Sequence, residues 1–169
     1  LTIDTNQADA DAKLKSGQVD ANASAAVGAA LQAQILTDPK LKANADDPLS
    51  AFTQYLAVMP SVIPNASCRQ AIFYATDKAA LLRAFGGDVA GTIAQSMTPP
   101  GIAGYDPTAA VYDSGADNTG DLAKAKAALT QCGKPGGFAV KMAYATPSAP
   151  AAAAFLAEQT ALARVGITL

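Results

Sequence analysis

Histidine and tryptophan are absent from this 169-residue chain, and glutamate occurs once, at Glu158, against thirteen aspartates. Without an imidazole the chain holds no Ser-His-Asp triad, no Cys-His pair, no His-ligated zinc and no imidazole general base. Most hydrolase mechanisms are excluded with them, and the residues call for no metal and no cofactor. Arginine is scarce too, at positions 69, 83 and 164 only, and the net charge is −2. No basic stripe is available to neutralise phosphates, and 6% aromatics is too few for base stacking, so nucleic acid is not an expected partner. Long apolar runs are missing as well, because Asp, Lys, Gln and Pro interrupt every alanine tract, so no segment reads as a membrane span.

What the chain has in abundance is alanine, 41 residues of it. Helices must therefore rest on alanine's intrinsic propensity rather than on Glu/Lys pairs, and their faces will be small and closely packed. The length suits one ordinary domain or two small lobes. No initiator Met or basic-then-apolar leader is present, and the opening Leu1-Thr2-Ile3-Asp4 reads as mid-domain strand, which points to a fragment of a longer protein.

Leu1 to Thr5 is β-like, and Thr5 or Asn6 can cap a helix over Ala8 to Lys15 that Gly17 stops. Extended chain resumes at Val19 to Ala21, a second helix runs from Ser24 to about Leu36, and Asp38-Pro39 ends it before a polar turn from Lys40 to Pro48. Phe52 to Met59, an apolar run closed by Pro60, reads as a buried strand. A helix capped by Asn65 or Ser67 presents Ala71, Ile72 and Ala75, Asp77 marks the start of a second one with Leu81, Leu82 and Phe85, and Gly86-Gly87 close it. Val89 to Met97 looks extended, and a Pro/Gly-rich loop follows as far as Gly120. The last third reads as helix Asp121–Gln131, strand Phe138–Thr146, helix Ala151–Arg164 and a strand opening at Gly166. Strands alternating with helices predict an α/β fold with an at least partly parallel sheet.

The segment Cys68-Arg69-Gln70-Ala71-Ile72-Phe73-Tyr74-Ala75-Thr76-Asp77-Lys78 resembles the R-Q-A-I-x-Y-A-x-D-K/R stretch of extracellular solute-binding proteins of family 5, which feed dipeptide and oligopeptide ABC importers. Further motifs follow in the family's order. They are Gly86-Gly87, Pro99-Pro100-Gly101 with Gly104-Tyr105-Asp106, Asp121 to Lys126 with Leu129, Cys132-Gly133-Lys134-Pro135 with Gly137-Phe138, and Val165-Gly166-Ile167. Gly17-Gln18-Val19-Asp20 resembles the family's early L-x-x-G-x-V-D turn, so the likeness covers nearly the whole chain, and the two cysteine motifs look most like the actinobacterial branch. The resemblance implies periplasmic-binding-protein-like lobes, with a mixed sheet flanked by Ala-rich helices. Residues 1–50 would end the first lobe and 51–169 open the second, or the two would pack as one compact domain, with Phe52–Met59 crossing the hinge.

The resemblance also implies a function. The expected role is capture of a peptide or similar small solute between two lobes, without catalysis, and delivery to the permease of an ABC importer. The protein would be an extracellular monomer at the cell surface, its membrane contact confined to a lipid anchor that this fragment lacks. A module for another solute such as an oligosaccharide, or a protein-interaction domain with a vestigial cleft, is the alternative. Two departures bear on it. Val58-Met59-Pro60 stands where relatives commonly have F-N-T, and Tyr144-Ala145-Thr146 stands where peptide binders often carry an Arg for the peptide carboxylate. The family's later Trp/Asp segment would lie beyond Leu169.

Candidate ligand contacts are Tyr144 and Thr146, at the carboxyl end of the predicted strand, and Tyr105 in the Pro/Gly loop. Tyr74 is read as core, Arg69 as a tether for its helix start, Asp77 as a cap, and Asn65-Ala66-Ser67 as a cap rather than a glycosylation site. Lys124, Lys126, Lys134 and Lys141 read as a solvated face, since no phosphate-loop glycine spacing accompanies them. Export, implied by the family, and the even count favour a Cys68–Cys132 disulfide across antiparallel helices, and two buried free thiols are the alternative.

Overall fold

Two antiparallel helices faced with small residues organise the larger part of the chain. Asn65 accepts a hydrogen bond from the Ser67 amide at 2.9 Å and starts a helix over Ala66–Ala75; Asp121 accepts one from the Lys124 amide at 2.9 Å and starts a helix over Leu122–Gln131. The first buries Cys68, Ala71, Ile72 and Ala75, the second Ala125, Ala128 and Leu129, each set recurring at three- and four-residue steps along one face. Alanine on both sides lets the backbones approach closely. The pair is tied at both ends. Cys68 at the start of one helix forms a disulfide with Cys132 at the end of the other, with Cα atoms 5.3 Å apart, and the Asp121 amide donates to the Tyr74 carbonyl at 2.8 Å at the opposite end.

The computed structural model describes residues 3–22, 27–46, 51–144 and 148–169. Its helices are α1 Gln7–Ser16, α2 Ala29–Thr37, α3 Pro39–Lys42, α4 Ala66–Ala75, α5 Lys78–Ala84, α6 Leu122–Gln131 and α7 Ala149–Ala163, with a 3-10 turn at Gly87–Val89. The chain divides into two compact units, Leu1–Leu49 and Ser50–Leu169.

In the first unit Asn6 caps α1, accepting from the Ala8 amide at 2.9 Å. The Lys15 ammonium donates to Gln34 at 2.6 Å, and the Gly28 amide donates to Asp11 at 2.8 Å, which joins α1 to the start and middle of α2. Among its described residues only Leu31 is buried, so polar links rather than a deep core hold this unit together. The Lys40–Pro48 turn begins as α3, with Asp38 capping its Lys40 amide at 2.8 Å. Helix α2 starts at Ala29 rather than Ser24, and residues 23–26 lie outside the described residues.

In the second unit Leu162, Val165 and Ile167, from the end of α7 and the turn after it, complete the α4–α6 core. Asp77 ends the run of α4 and caps α5, accepting from the Ala80 amide at 2.7 Å. Arg69 donates to the carbonyls of Ile63 and Pro64, both at 2.8 Å, and fastens the start of α4 to the preceding loop. The expected cap and tether are thus both in place.

The expected α/β fold is not what forms: the described residues are helices and loops with no sheet. Of the expected strand Phe138–Thr146, whose residues 145 and 146 lie outside the described residues, Ala139 meets Thr168 in one parallel bridge, through Val140 N–H to Thr168 O at 2.8 Å and Thr168 N–H to Phe138 O at 3.0 Å. Phe52–Met59 has no helix or ladder, and Phe52 is 88% exposed. Ile3–Thr5 and Val19–Ala21 form no ladder, and Val89–Met97 starts in the 3-10 turn and runs on through bends. The physical reason is that an extended run becomes a strand only where a neighbour accepts its ladder, and apolar patterning reports the side chains without reporting that neighbour. Helices close their hydrogen bonds locally, and alanine favours them at each step.

Gly120 and Gly166 are among the glycines at which backbones of the second unit approach closely. Gly166, at φ 82°, passes so near the Gly136 carbonyl that a Cβ would sit 2.5 Å from its oxygen. Gly120, at φ 103°, lies beneath the end of α4, where a Cβ would come 2.7 Å from the Ala75 carbonyl oxygen and from Arg164 Nη2. Replacing Gly120 by Ala combines left-handed strain with a backbone clash, and should lower unfolding free energy by about 2 kcal/mol or more, read as a lower urea midpoint at unchanged slope. For the disulfide, alkylation of the unfolded, unreduced chain should add no label by intact mass. Reduction should cost up to about 4 kcal/mol, since the bridge closes a span of 64 residues.

Candidate functional site

The three residues expected to contact ligand are not gathered into one described pocket. Tyr144 is 40% exposed and its ring stacks on Phe155 of α7, centroids 5.1 Å apart and planes 29° apart. Tyr105 is 41% exposed in the long loop, where its amide donates to Ile102 O at 3.0 Å. Thr146 lies outside the described residues. Both tyrosines present part of a ring to solvent, but no ring contact among the described residues joins them, and neither lines the groove between α5 and α7 or the smaller one beside residues 166–169.

The larger groove, about 410 Å³, runs between α5 and α7. Asp77, Ala80 and Arg83 form one wall, and Leu156, Thr160 and Arg164 stand among those forming the other. Arg164 is an anchor as much as a wall: its guanidinium donates to the carbonyls of Ala75 and Ala161, both at 3.3 Å, and to that of Thr119. It thereby joins the ends of α4 and α7 to the loop before α6. The second groove, about 170 Å³, lies beside the 166–169 segment and the last turns of α7.

Beneath this helix packing lies a group that the sequence reading counted but did not place. Glu158 is 1% exposed, and its Oε1 lies 2.9 Å from the Thr76 hydroxyl, while Oε2 is buried without a hydrogen-bond partner. Burial pushes its pKa up from 4.5 to about 7; the Thr76 hydroxyl opposes the rise, the Asp77 charge adds to it, and Arg164 lowers it. The available signal was its position: Ala154, Glu158, Ala161 and Leu162 form a single buried stripe on α7.

The long loop that carries Tyr105 is held from below by one ammonium. Lys78 donates to the Tyr112 carbonyl at 3.0 Å, the Gln95 side chain at 3.3 Å and the Ala94 carbonyl at 3.4 Å. Burial lowers its pKa, and the Asp113 charge counters part of that fall. Tyr112 then packs against Phe73 and Tyr74, with ring centroids 4.8 and 5.7 Å away, so Tyr74 belongs with the core as expected. Lys124 pairs with Asp121 at 3.0 Å and sits 5.9 Å from the Tyr74 ring centroid, on a face open to solvent. Lys78→Met keeps the apolar stem and removes the three bonds. Chymotryptic cleavage at Tyr105 should accelerate about tenfold while far-UV circular dichroism stays unchanged.

Known proteins account for this arrangement. Over residues 1–169 the chain matches the family described as bacterial extracellular solute-binding proteins, family 5, middle region. A solved structure named clavulanic acid biosynthesis oligopeptide binding protein 2 is similar to it at 32% identity with a TM-score of 0.89. That similarity covers 100% of this chain and 31% of the other, so the chain spans about a third of that protein's length. No curated protein matches. The chain belongs to the bacterial extracellular solute-binding proteins of family 5, a family that binds solutes and is not one of enzymes.

Proposed function

We propose that this chain is part of an extracellular oligopeptide-binding protein that captures peptides between two lobes and hands them to the permease of an ABC importer. The observation that carries this reading is the similarity, over the whole of this chain, to a protein named for oligopeptide binding, at 32% identity and a TM-score of 0.89. Residues 1–50 belong in this reading to the end of the first lobe and residues 51–169 to the opening part of the second. The full-length protein is a monomer held at the cell surface by a lipid. Ligand binding by such proteins works through closure: the ligand bridges two lobes, and its contacts offset the preference for the open state.

Tyr144 and Thr146 and, from the long loop, Tyr105 contact the peptide. A tyrosine ring supplies a broad apolar face with a polar tip, which suits a binder that accepts varied side chains. Both tyrosines are partly open to solvent, which is what a ligand-facing ring requires before the ligand arrives.

Two measurements test the reading. The isolated chain should show no submicromolar affinity for di- to pentapeptides by titration calorimetry, and such an affinity would mean that this part alone forms the site. In the full-length protein Tyr144→Ala should weaken peptide binding by about tenfold, which corresponds to about 1.4 kcal/mol. Tyr144→Phe retains the ring stacked on Phe155 and separates loss of the hydroxyl from loss of the aromatic pair. Unchanged affinity in both variants would remove Tyr144 from the site.

A further inference from the structure

Glu158 takes no part in the proposed binding role, yet it is the chain's single glutamate and one of its most deeply buried side chains. Its burial and the hydrogen bonds around it disfavour the ionised form. The Thr76 hydroxyl lies 2.9 Å from the Ile72 carbonyl and 2.9 Å from Glu158 Oε1, but a hydroxyl has one proton to give. A carbonyl can only accept. If the carboxyl carries a proton, Glu158 donates to the Thr76 oxygen, Thr76 donates to Ile72, and each contact is a complete hydrogen bond. If the carboxyl is ionised, Thr76 can give its hydroxyl proton to Oε1 while the Ile72 carbonyl keeps the Thr76 amide at 3.0 Å, but a buried charge is left with Oε2 unpartnered.

The charged groups facing Glu158 do not rescue the ionised form. From the α4–α5 corner comes Asp77, a like charge whose Oδ1 is engaged in capping the Ala80 amide. From the end of α7 comes Arg164, whose guanidinium donates to the carbonyls of Ala75, Ala161 and Thr119. The ion pairs among the described residues are Lys13–Asp4 and Lys124–Asp121, and neither involves Glu158.

We infer that Glu158 is a proton-controlled latch: as the neutral acid it seats α7 against the end of α4 through Thr76, and its ionisation loosens that seat and the α5–α7 groove above it. The direction follows from linkage. Folding raises the carboxyl pKa from 4.5 to about 7, so the folded chain holds a proton that the unfolded chain releases. The contribution of Glu158 to stability is fully present below pH 4.5, falls as pH rises, and levels off above about 7, with a ceiling of roughly 300-fold in the unfolding constant. No other side chain ordinarily titrates in this window, because the chain has no histidine and both cysteines are in the disulfide.

A single glutamate makes the test direct. Labelling this 169-residue chain with carboxyl-¹³C glutamate gives one resonance, expected to titrate with a midpoint near 7. A midpoint near 4.5 would overturn the inference, and this readout needs no variant. Amide protection factors along α7 should fall at least tenfold between pH 5.5 and 7.5 in the native chain and stay level in Glu158→Gln, which keeps the shape without the charge. An equal fall in both would assign the loosening to another group and sink the latch.

Discussion

The close approach of α4 and α6 is the constraint on which the second unit depends. Small residues at Ala71, Ala75, Ala125 and Ala128 set the spacing, and the Cys68–Cys132 bridge extends the same two stripes by one more step. Alanine buries little area, so such a contact gains less from transfer out of water than a leucine-faced pair would. The bridge and the hydrogen bond from Asp121 to Tyr74 compensate by fixing both ends of the contact. Other segments of the second unit close on this pair. Gly120 has to pass under the end of α4, and Leu162, Val165 and Ile167 close the open side of the core.

Local chemistry was legible in the sequence where a residue acts on its immediate neighbours. Asn6, Asn65 and Asp77 cap the helices that their positions announce, Gly17 closes α1, and Asp121, read as the first residue of its helix, caps it. The disulfide was legible through the family resemblance together with the two helix ends. The sheet was read wrongly, because Phe52–Met59 and Val89–Met97 carry the apolar signature of strands without a neighbour among the described residues. Of that expectation one bridge forms, where Gly166 allows two backbones to cross closely enough for Val140 and Thr168 to bond. The ladder is a property of two segments, and no pattern within one of them encodes it.

The candidate site shows the same division. Exposure of Tyr105 and Tyr144 agrees with the roles assigned to them, but bringing them to a common ligand depends on contacts that single positions do not specify. Glu158 was missed for a different reason. A lone carboxylate on an alanine-rich helix suggests a solvated face, whereas its register with Ala154, Ala161 and Leu162 places it inward. Reading the helix by its period instead of by residue polarity would have found it.

The same alanine packing explains why that carboxyl stays without a full set of partners. A buried charge is usually satisfied by a long side chain that bends toward it or by a backbone group released from regular structure. Around Glu158 the neighbours on its own helix are Ala154, Ala161 and Leu162, none of which can reach back with a donor. Arg164, the cation whose charge acts on Glu158, is drawn instead to three carbonyls at helix and loop ends. Among the described residues Thr76 is left as the partner of Oε1, and Oε2 has none. In a core built of small residues the least costly way to house this carboxyl is to keep it neutral, so close packing itself makes the contact sensitive to pH.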